Sequence, residues 1–258
     1  NPCRLRSASS SLAEGTIEMK NLLRRLISKF SKYSKIYENS FDLLNIINSH
    51  KIDVVLDVGA SWGGYAKTLR RFGYKKKIIS FEPVSETHSK LLKNSLNDAE
   101  WQVHKKIIIS NKNIKKLSIN VSKDYDNSSV LDLSKLHAEN HQNSQYTHKE
   151  EVESDSLDNL INYYSLGEKN LMLKIDVQGS EMDVLKSAIN NLSKFKLIQI
   201  ELSLQTLYEG QTLYKEILNF MNEHNYDIWN IFPGYKKKLI GQLLQFDAVF
   251  YNKNNYKY

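Results

Sequence analysis

Four acid-bearing clusters in this 258-residue chain have the spacing of a ligand site. The first is Val54-Val55-Leu56-Asp57-Val58-Gly59-Ala60-Ser61-Trp62-Gly63-Gly64-Tyr65, an apolar run that ends on an acid and turns on glycines. Gly59 lets the backbone turn sharply, and Gly63 lets a ligand approach the start of the following helix. The spacing D-x-G-x-x-x-G differs from G-x-G-x-x-G, which sets a pyrophosphate on a helix dipole. An acid ahead of the first glycine suits a cationic ligand without phosphates. A glycine pair alone would be an ordinary strand–helix turn. In the second cluster, Ile78-Ile79-Ser80-Phe81-Glu82-Pro83, the acid Glu82 falls 19 residues after Gly63. At a strand end, such a carboxylate can accept hydrogen bonds from both hydroxyls of a ribose. The alternative is a solvated strand-end acid.

The third cluster, Leu173-Lys174-Ile175-Asp176-Val177-Gln178-Gly179-Ser180-Glu181, places Asp176 at the carboxyl end of a strand. Ligands bind at that end in open α/β sheets. Ser180 and Asp183 read as an S-x-x-D capping box that starts a helix. Lys174, inside an apolar strand, needs a carboxylate partner if buried. Asp176 or Glu181 can supply one, and that pairing competes with a catalytic role. In the fourth, Ile200-Glu201-Leu202-Ser203 with Tyr208-Glu209-Gly210, Glu201 closes the next strand. His137, His141 and His148 are further proton carriers, each expected to be an exposed polar residue.

Positioning these groups requires alternating strands and helices. Strands are expected at 53–58, 77–82, 101–110, 171–175 and 197–202, with an edge or hairpin strand at 116–122 and two final strands at 226–231 and 246–251. Helices are expected at 41–48, 65–72, 85–96, 156–164, 181–192 and 213–224. Pro83 stops the second strand because it cannot donate to a ladder. Residues 123–150 are polar and aperiodic, as a mobile insertion or lid would be. The pattern implies a mostly parallel doubly wound sheet with helices on both faces and an antiparallel strand near its C-terminus.

Composition sets the outer limits. An apolar fraction of 41% and a charged fraction of 25% describe an ordinary globular protein, long enough for one large α/β domain at 51–258. No apolar run reaches the roughly 18–20 residues of a membrane span. Cys3 is the only cysteine, so an intrachain disulfide and a Cys-based zinc site are excluded, which fits a cytoplasmic protein. Residues 1–18 lack an apolar core and read as a leader left over from expression rather than a signal peptide. Of the net charge of +7, residues 1–37 hold eight bases against two acids, leaving only +1 for the rest. That argues against a basic field for nucleic acid. The extension at 19–50 opens with a helical pattern over 19–37, apolar at Leu22, Leu26 and Phe30 and basic opposite. It is expected to pack on the domain or to touch an anionic membrane or glycan.

The stretches DVGASWGGY (57–65), FEP (81–83), SLDNL (156–160), KIDVQGSEMDVL (174–185), IELSLQTLYEG (200–210) and QFDAVF (245–250) together resemble the FkbM family of methyltransferases, in the family's order. The resemblance covers about 53–251 and leaves out the basic helix and the His-bearing insertion. It implies a Rossmann-like class I methyltransferase fold, S-adenosylmethionine as cofactor, and an acceptor hydroxyl on a sugar, glycan or polyketide. Asp57, Gly59 and Gly63 would then hold the methionine part with Ala60 and Ser61 in the same turn, Glu82 the ribose, and Asn111 would lie near the adenine. Where the family usually has Asn after D-V-G-A, this chain has the shorter Ser61. For an alcohol acceptor a general base is needed. Asp176 is the first candidate, with Glu181 and Glu201 as alternatives or acceptor ligands and the insertion histidines as rivals. No metal is expected, a divalent ion on Asp176 and Glu201 being the less favoured reading. A nicotinamide-dependent oxidoreductase would share the fold but should carry G-x-G-x-x-G, which is missing; a non-catalytic partner protein is the other rival.

Overall fold

A computed structural model describes residues 38–255, apart from 112, 141–143 and 238–239. The expected leader and basic helix at 1–37, with Cys3, and His141 lie outside these residues. The chain divides into two compact units, Asn1–Leu43 and Leu44–Tyr258. A helix over 38–49 (α1) spans that division, and everything below belongs to the second unit.

The strands are β1 (Val54–Val58), β2 (Lys77–Phe81), β3 (Trp101–His104), β4 (Ile107–Ile108), β5 (Lys116–Ser122), β6 (Tyr146–Asp155), β7 (Leu171–Ile175), β8 (Phe195–Ser203), β9 (Tyr226–Pro233) and β10 (Gln245–Asn252). Between them lie α2 (Gly64–Arg71), α3 (Ser85–Ser95), α4 (Lys135–Asn140), α5 (Leu157–Tyr163), α6 (Glu181–Ser187) and α7 (Tyr214–Glu223). Seven strands form one sheet in the order β3-β2-β1-β7-β8-β10-β9. β1 runs parallel to β2 and β7, β7 parallel to β8, and β10 enters antiparallel between β8 and β9. Among the described residues the order reverses between β1 and β7, so the loops after those strands open a crevice where a ligand can sit.

The two faces of this sheet differ in chemistry. One face carries Leu56, Ile79, Leu173, Ile198 and Ile200 into an apolar core closed by Leu160 and Ile161 of α5, Val184 and Leu185 of α6, and Ile217 and Met221 of α7. The other face holds a polar row. The register pairs Ser80 with Asp57, Asp57 with Lys174 and Lys174 with Gln199, so four adjacent strands place these side chains side by side. Tyr65 of α2 closes over the row, its hydroxyl donating to Gln199 Oε1 at 2.9 Å.

Three expectations are corrected. The third strand, expected over 101–110, breaks at Lys105-Lys106. Its first half stays in the large sheet, and Ile107–Ile108 join a three-stranded sheet ordered β4-β6-β5. The polar insertion is not without structure. It contains α4 and the start of β6, a ten-residue strand with half of its positions exposed that pairs antiparallel with β5. The helix expected at 181–192 stops at Ser187. Ser180 sits at its N-cap but its hydroxyl makes no cap bond. Asp183 accepts instead from the Ser110 hydroxyl, so the S-x-x-D capping box does not form.

Candidate active site

The crevice leads into an open cleft between these loops. Its walls come from four places. Val58, Gly59 and Ser61 follow β1; Phe81, Glu82 and Pro83 follow β2; Asp176, Val177, Gln178 and Ser180 follow β7. The fourth wall is largely apolar, built by Val84, Ile107, Ile109 and Ile119 around the small sheet with Lys106 beside them, and Tyr125, Asp126, Ser128 and Val130 complete the lining. Gly59 is required here for two reasons. Its φ is +77°, and a Cβ on it would stand 1.8 Å from the Asp176 carbonyl oxygen, so only glycine lets the first and third loops touch.

Glu82 is buried at the cleft wall and held from three sides. The Ser61 N–H donates to Oε2 at 2.8 Å, the Val84 N–H to Oε1 at 2.9 Å, and the Thr87 hydroxyl to Oε1 at 2.8 Å. Burial pushes this carboxyl up to about 7, against the pull of those donors. Only Ser61 N–H is bonded to Oε2, so that oxygen can accept a further hydroxyl.

Asp57 does something different from what its place in the motif implies. Its side chain is 0% exposed and does not line the cleft. Ser80 Oγ donates to its Oδ2 at 3.1 Å, Trp101 Nε1 donates to Ser80 Oγ at 3.0 Å, and Lys174 Nζ lies 3.4 Å from Oδ1. Burial raises the Asp57 carboxyl, and Lys174 opposes the shift. Lys174 is the hub of the row. Its ammonium donates to the Gly59 carbonyl at 2.9 Å, lies 3.4 Å from Asp176 Oδ2, and sits 5.6 Å from the Tyr65 ring centroid. Its partners are therefore Asp57 and Asp176, not Glu181. Burial lowers its proton affinity, but Asp176 and Asp57 outweigh that and raise it overall.

Asp176 also reaches the cleft, with a side chain 34% exposed. Gln178 Nε2 donates to its Oδ1 at 2.7 Å and to Glu201 Oε2 at 3.1 Å, and Tyr208 OH donates to Gln178 Oε1 at 2.9 Å. Gln245 Nε2 also donates to Glu201 Oε2, at 2.7 Å. Burial, then the charges of Asp176, Asp247 and Glu181, push the Glu201 carboxyl well above its ordinary value. Burial likewise raises Glu181 to about 7 and Asp247 to about 6. Glu181 turns back on its own loop, accepting from the Gly179 N–H at 2.9 Å. Neither Glu181 nor Glu201 lines the cleft.

Of the residues singled out in the sequence, the cleft brings together Gly59, Ser61, Glu82 and Asp176. Asp57 and Ala60 are buried behind it. Gly63 makes room for protein rather than ligand, since a Cβ there would meet the Trp101 ring at 2.7 Å and Leu91 at 2.8 Å. Asn111 is exposed, its Oδ1 accepting from the Asn113 N–H at 3.1 Å, and it does not line the cleft. His137 is buried, contrary to expectation, edge-on to Tyr208 at 5.1 Å; His148 is exposed beside Glu150. Among the described residues, no three His, Cys, Asp or Glu side chains are grouped as a metal site requires. Gln178 and Tyr208 lie inside the third and fourth clusters without a signal of their own, and Tyr125 and Asp126 sit in a segment without periodicity.

Residues 57–228 match the methyltransferase FkbM domain. The chain is 27% identical over 174 residues to the 2-O-methyltransferase NoeI of Sinorhizobium fredii, covering 65% of this chain and 70% of that protein. Among solved structures it is similar to an rRNA methylase from Streptococcus thermophilus, at 10% identity and a TM-score of 0.44, covering 84% of this chain and 96% of that one. It is also similar to the magnesium protoporphyrin IX methyltransferase of Synechocystis with bound S-adenosylmethionine, at 8% identity and a TM-score of 0.43, covering 83% and 77%. With the domain matched over most of its length, the chain belongs to the FkbM methyltransferase family and uses S-adenosylmethionine as its methyl donor.

Proposed function

We propose that the protein methylates a hydroxyl oxygen of a sugar or glycan, with Asp176 as the general base. The observation that carries this reading is the Asp176 carboxylate. It stands at the cofactor cleft, partly exposed, with Lys174 on one oxygen and Gln178 on the other. Relatedness to a 2-O-methyltransferase supports an oxygen acceptor. The lone cysteine suits a cytoplasmic reaction.

The cleft suits the cofactor on its own chemistry. Glu82 has an acceptor oxygen available for ribose hydroxyls, the Ile107–Ile109 wall takes an uncharged planar base, and the carboxylates near Gly59 favour a cation. When bound, S-adenosylmethionine supplies an electrophilic methyl group on a sulfonium. An alcohol is a weak nucleophile, so Asp176 accepts the hydroxyl proton as the oxygen attacks. Lys174 and Gln178 fix the rotamer of that carboxylate, so little reorientation remains at the moment of reaction. The apolar wall keeps water from competing with the acceptor.

The test is a panel of nucleotide sugars and oligosaccharides incubated with S-adenosylmethionine and read by mass spectrometry for a gain of one CH₂. Asp176→Asn should lower the rate about 10²- to 10⁴-fold while calorimetry shows S-adenosylhomocysteine affinity kept. Methylation of polyketide hydroxyls with no sugar modified would overturn the acceptor assignment. Full activity in the Asn variant would overturn the base.

A further inference from the structure

Three non-glycine residues at the cleft hold left-handed backbone: Ser61 at φ 47°, Tyr125 at φ 64° and Gln178 at φ 56°. For a bulky residue such as tyrosine this backbone is strained and persists only where the surroundings over-determine it. Around Tyr125 they do. Its N–H donates to the Ser122 carbonyl at 3.1 Å, and its carbonyl accepts from Ser128 Oγ at 2.7 Å. Asp124 ties the same turn together, accepting from Ser122 Oγ at 2.9 Å and from Asn127 Nδ2 at 2.8 Å. The turn sets the Tyr125 ring in the cleft wall against the Val84, Ile107 and Ile109 cluster, with Lys90 Nζ 5.4 Å from the ring centroid.

The same segment is fastened at two points to loops that carry the site. Ser61 Oγ donates to Asp126 Oδ1 at 2.9 Å, joining it to the loop whose N–H holds Glu82. Ser129 Oγ donates to the Gln178 carbonyl at 2.6 Å, joining it to the loop that orients Asp176. The second attachment is short and partly buried, whereas Asp126 is exposed, so the Ser61 end is the one that can let go.

We infer that residues 123–130 are the outer wall of the S-adenosylmethionine site, with Tyr125 touching the cofactor and the Ser61–Asp126 hydrogen bond acting as the clasp that retains it. The wall opens at the clasp and pivots on Ser129. The cofactor and its product therefore exchange past Asp126, at a rate set by that one contact.

The inference is independent of the acceptor, because its readout is S-adenosylhomocysteine alone. Dissociation is measured by stopped-flow displacement on the full chain for Ser61→Ala, Asp126→Ala and the double variant. Ser61→Ala keeps the backbone N–H that binds Glu82 and removes only the hydroxyl. Each single change should speed dissociation about five- to tenfold, and the double no further, since both remove one interaction. Single variants within twofold of the parent, or effects that multiply in the double, would overturn the clasp. Tyr125→Gly removes the ring while suiting the left-handed backbone. Relief of the left-handed backbone offsets part of the lost packing, so the variant should stay folded by its cooperative melt yet weaken S-adenosylhomocysteine binding about tenfold or more, with Tyr125→Phe restoring it. Unchanged affinity in the folded Gly variant would remove Tyr125 from the cofactor site.

Discussion

Two residues show how sharply local geometry separates roles that look alike in sequence. Asp57 and Glu82 are both strand-end acids in glycine- or proline-bounded motifs, yet one is locked behind the sheet and the other faces the cleft. Glu82→Ala should therefore weaken cofactor binding by roughly 1.5–3 kcal/mol, the loss of charge-assisted acceptance from ribose hydroxyls, as read by calorimetry with S-adenosylhomocysteine. Glycines divide in the same way. Gly59 and Gly73 both hold positive φ, at +77° and +105°, but a Cβ on Gly59 would overlap Asp176 backbone whereas nothing lies within 4 Å of one on Gly73. Gly73→Ala should cost about 1 kcal/mol of conformational strain, and Gly59→Ala about 3 kcal/mol or more, in urea melts. Equal costs would mean that the Gly59 turn relaxes away from Asp176.

At the level of elements, the central strands were legible because burial on both faces leaves continuous apolar runs. β1, β2, β7 and β8 fall within two residues of where those runs place them. β6 was not legible, for a physical reason. Its sequence Tyr146–Asp155 is dominated by charged and polar residues, and on its inward face only Val152 is a buried apolar side chain, so no apolar alternation marks it. The break after β3 was hidden in the same way, since the chain changes sheets without a proline or glycine at Lys105-Lys106. The capping box is the reverse case, a pattern that is present but unused. Ser156 does cap α5, accepting from the Asn159 N–H at 3.3 Å, while the Ser180 hydroxyl is buried without a partner. Ser156→Ala should lower stability by about 0.5–2 kcal/mol, whereas Ser180→Ala should be neutral or slightly stabilising in the ligand-free protein. The candidate site was half legible. The motif acids were evident, but Gln178 and Tyr125 owe their places to backbone conformations that composition does not announce.

Across the whole molecule, the concentration of buried carboxyls sets an unusual response to pH. Glu82 and Glu181 are raised to about 7 from an ordinary 4.5, and Asp247 to about 6 from 3.8. Each binds its proton more tightly in the folded state, so over this window these three groups hold more protons in the folded chain than in the unfolded one, against the opposite pull of His50, His88 and His104, which burial lowers. Raising the pH through the window therefore costs stability. The ligand-free protein should melt at a higher temperature near pH 5.5 than near pH 8, while cofactor affinity rises over the same interval as Glu82 ionises to accept the ribose. Scanning calorimetry and titration calorimetry at matched pH test both signs, and a melting temperature that climbs with pH would mean that the buried histidines outweigh these carboxyls. The strand order has a separate consequence, in time rather than in energy. β1 pairs with β7, on the order of a hundred residues later in the chain. At ribosomal speed that partner emerges roughly ten seconds after β1 does. During synthesis the β1–β2–β3 half must wait with an apolar edge unpaired, which makes the nascent chain a client for holding factors, and its yield should depend on how fast translation crosses the insertion.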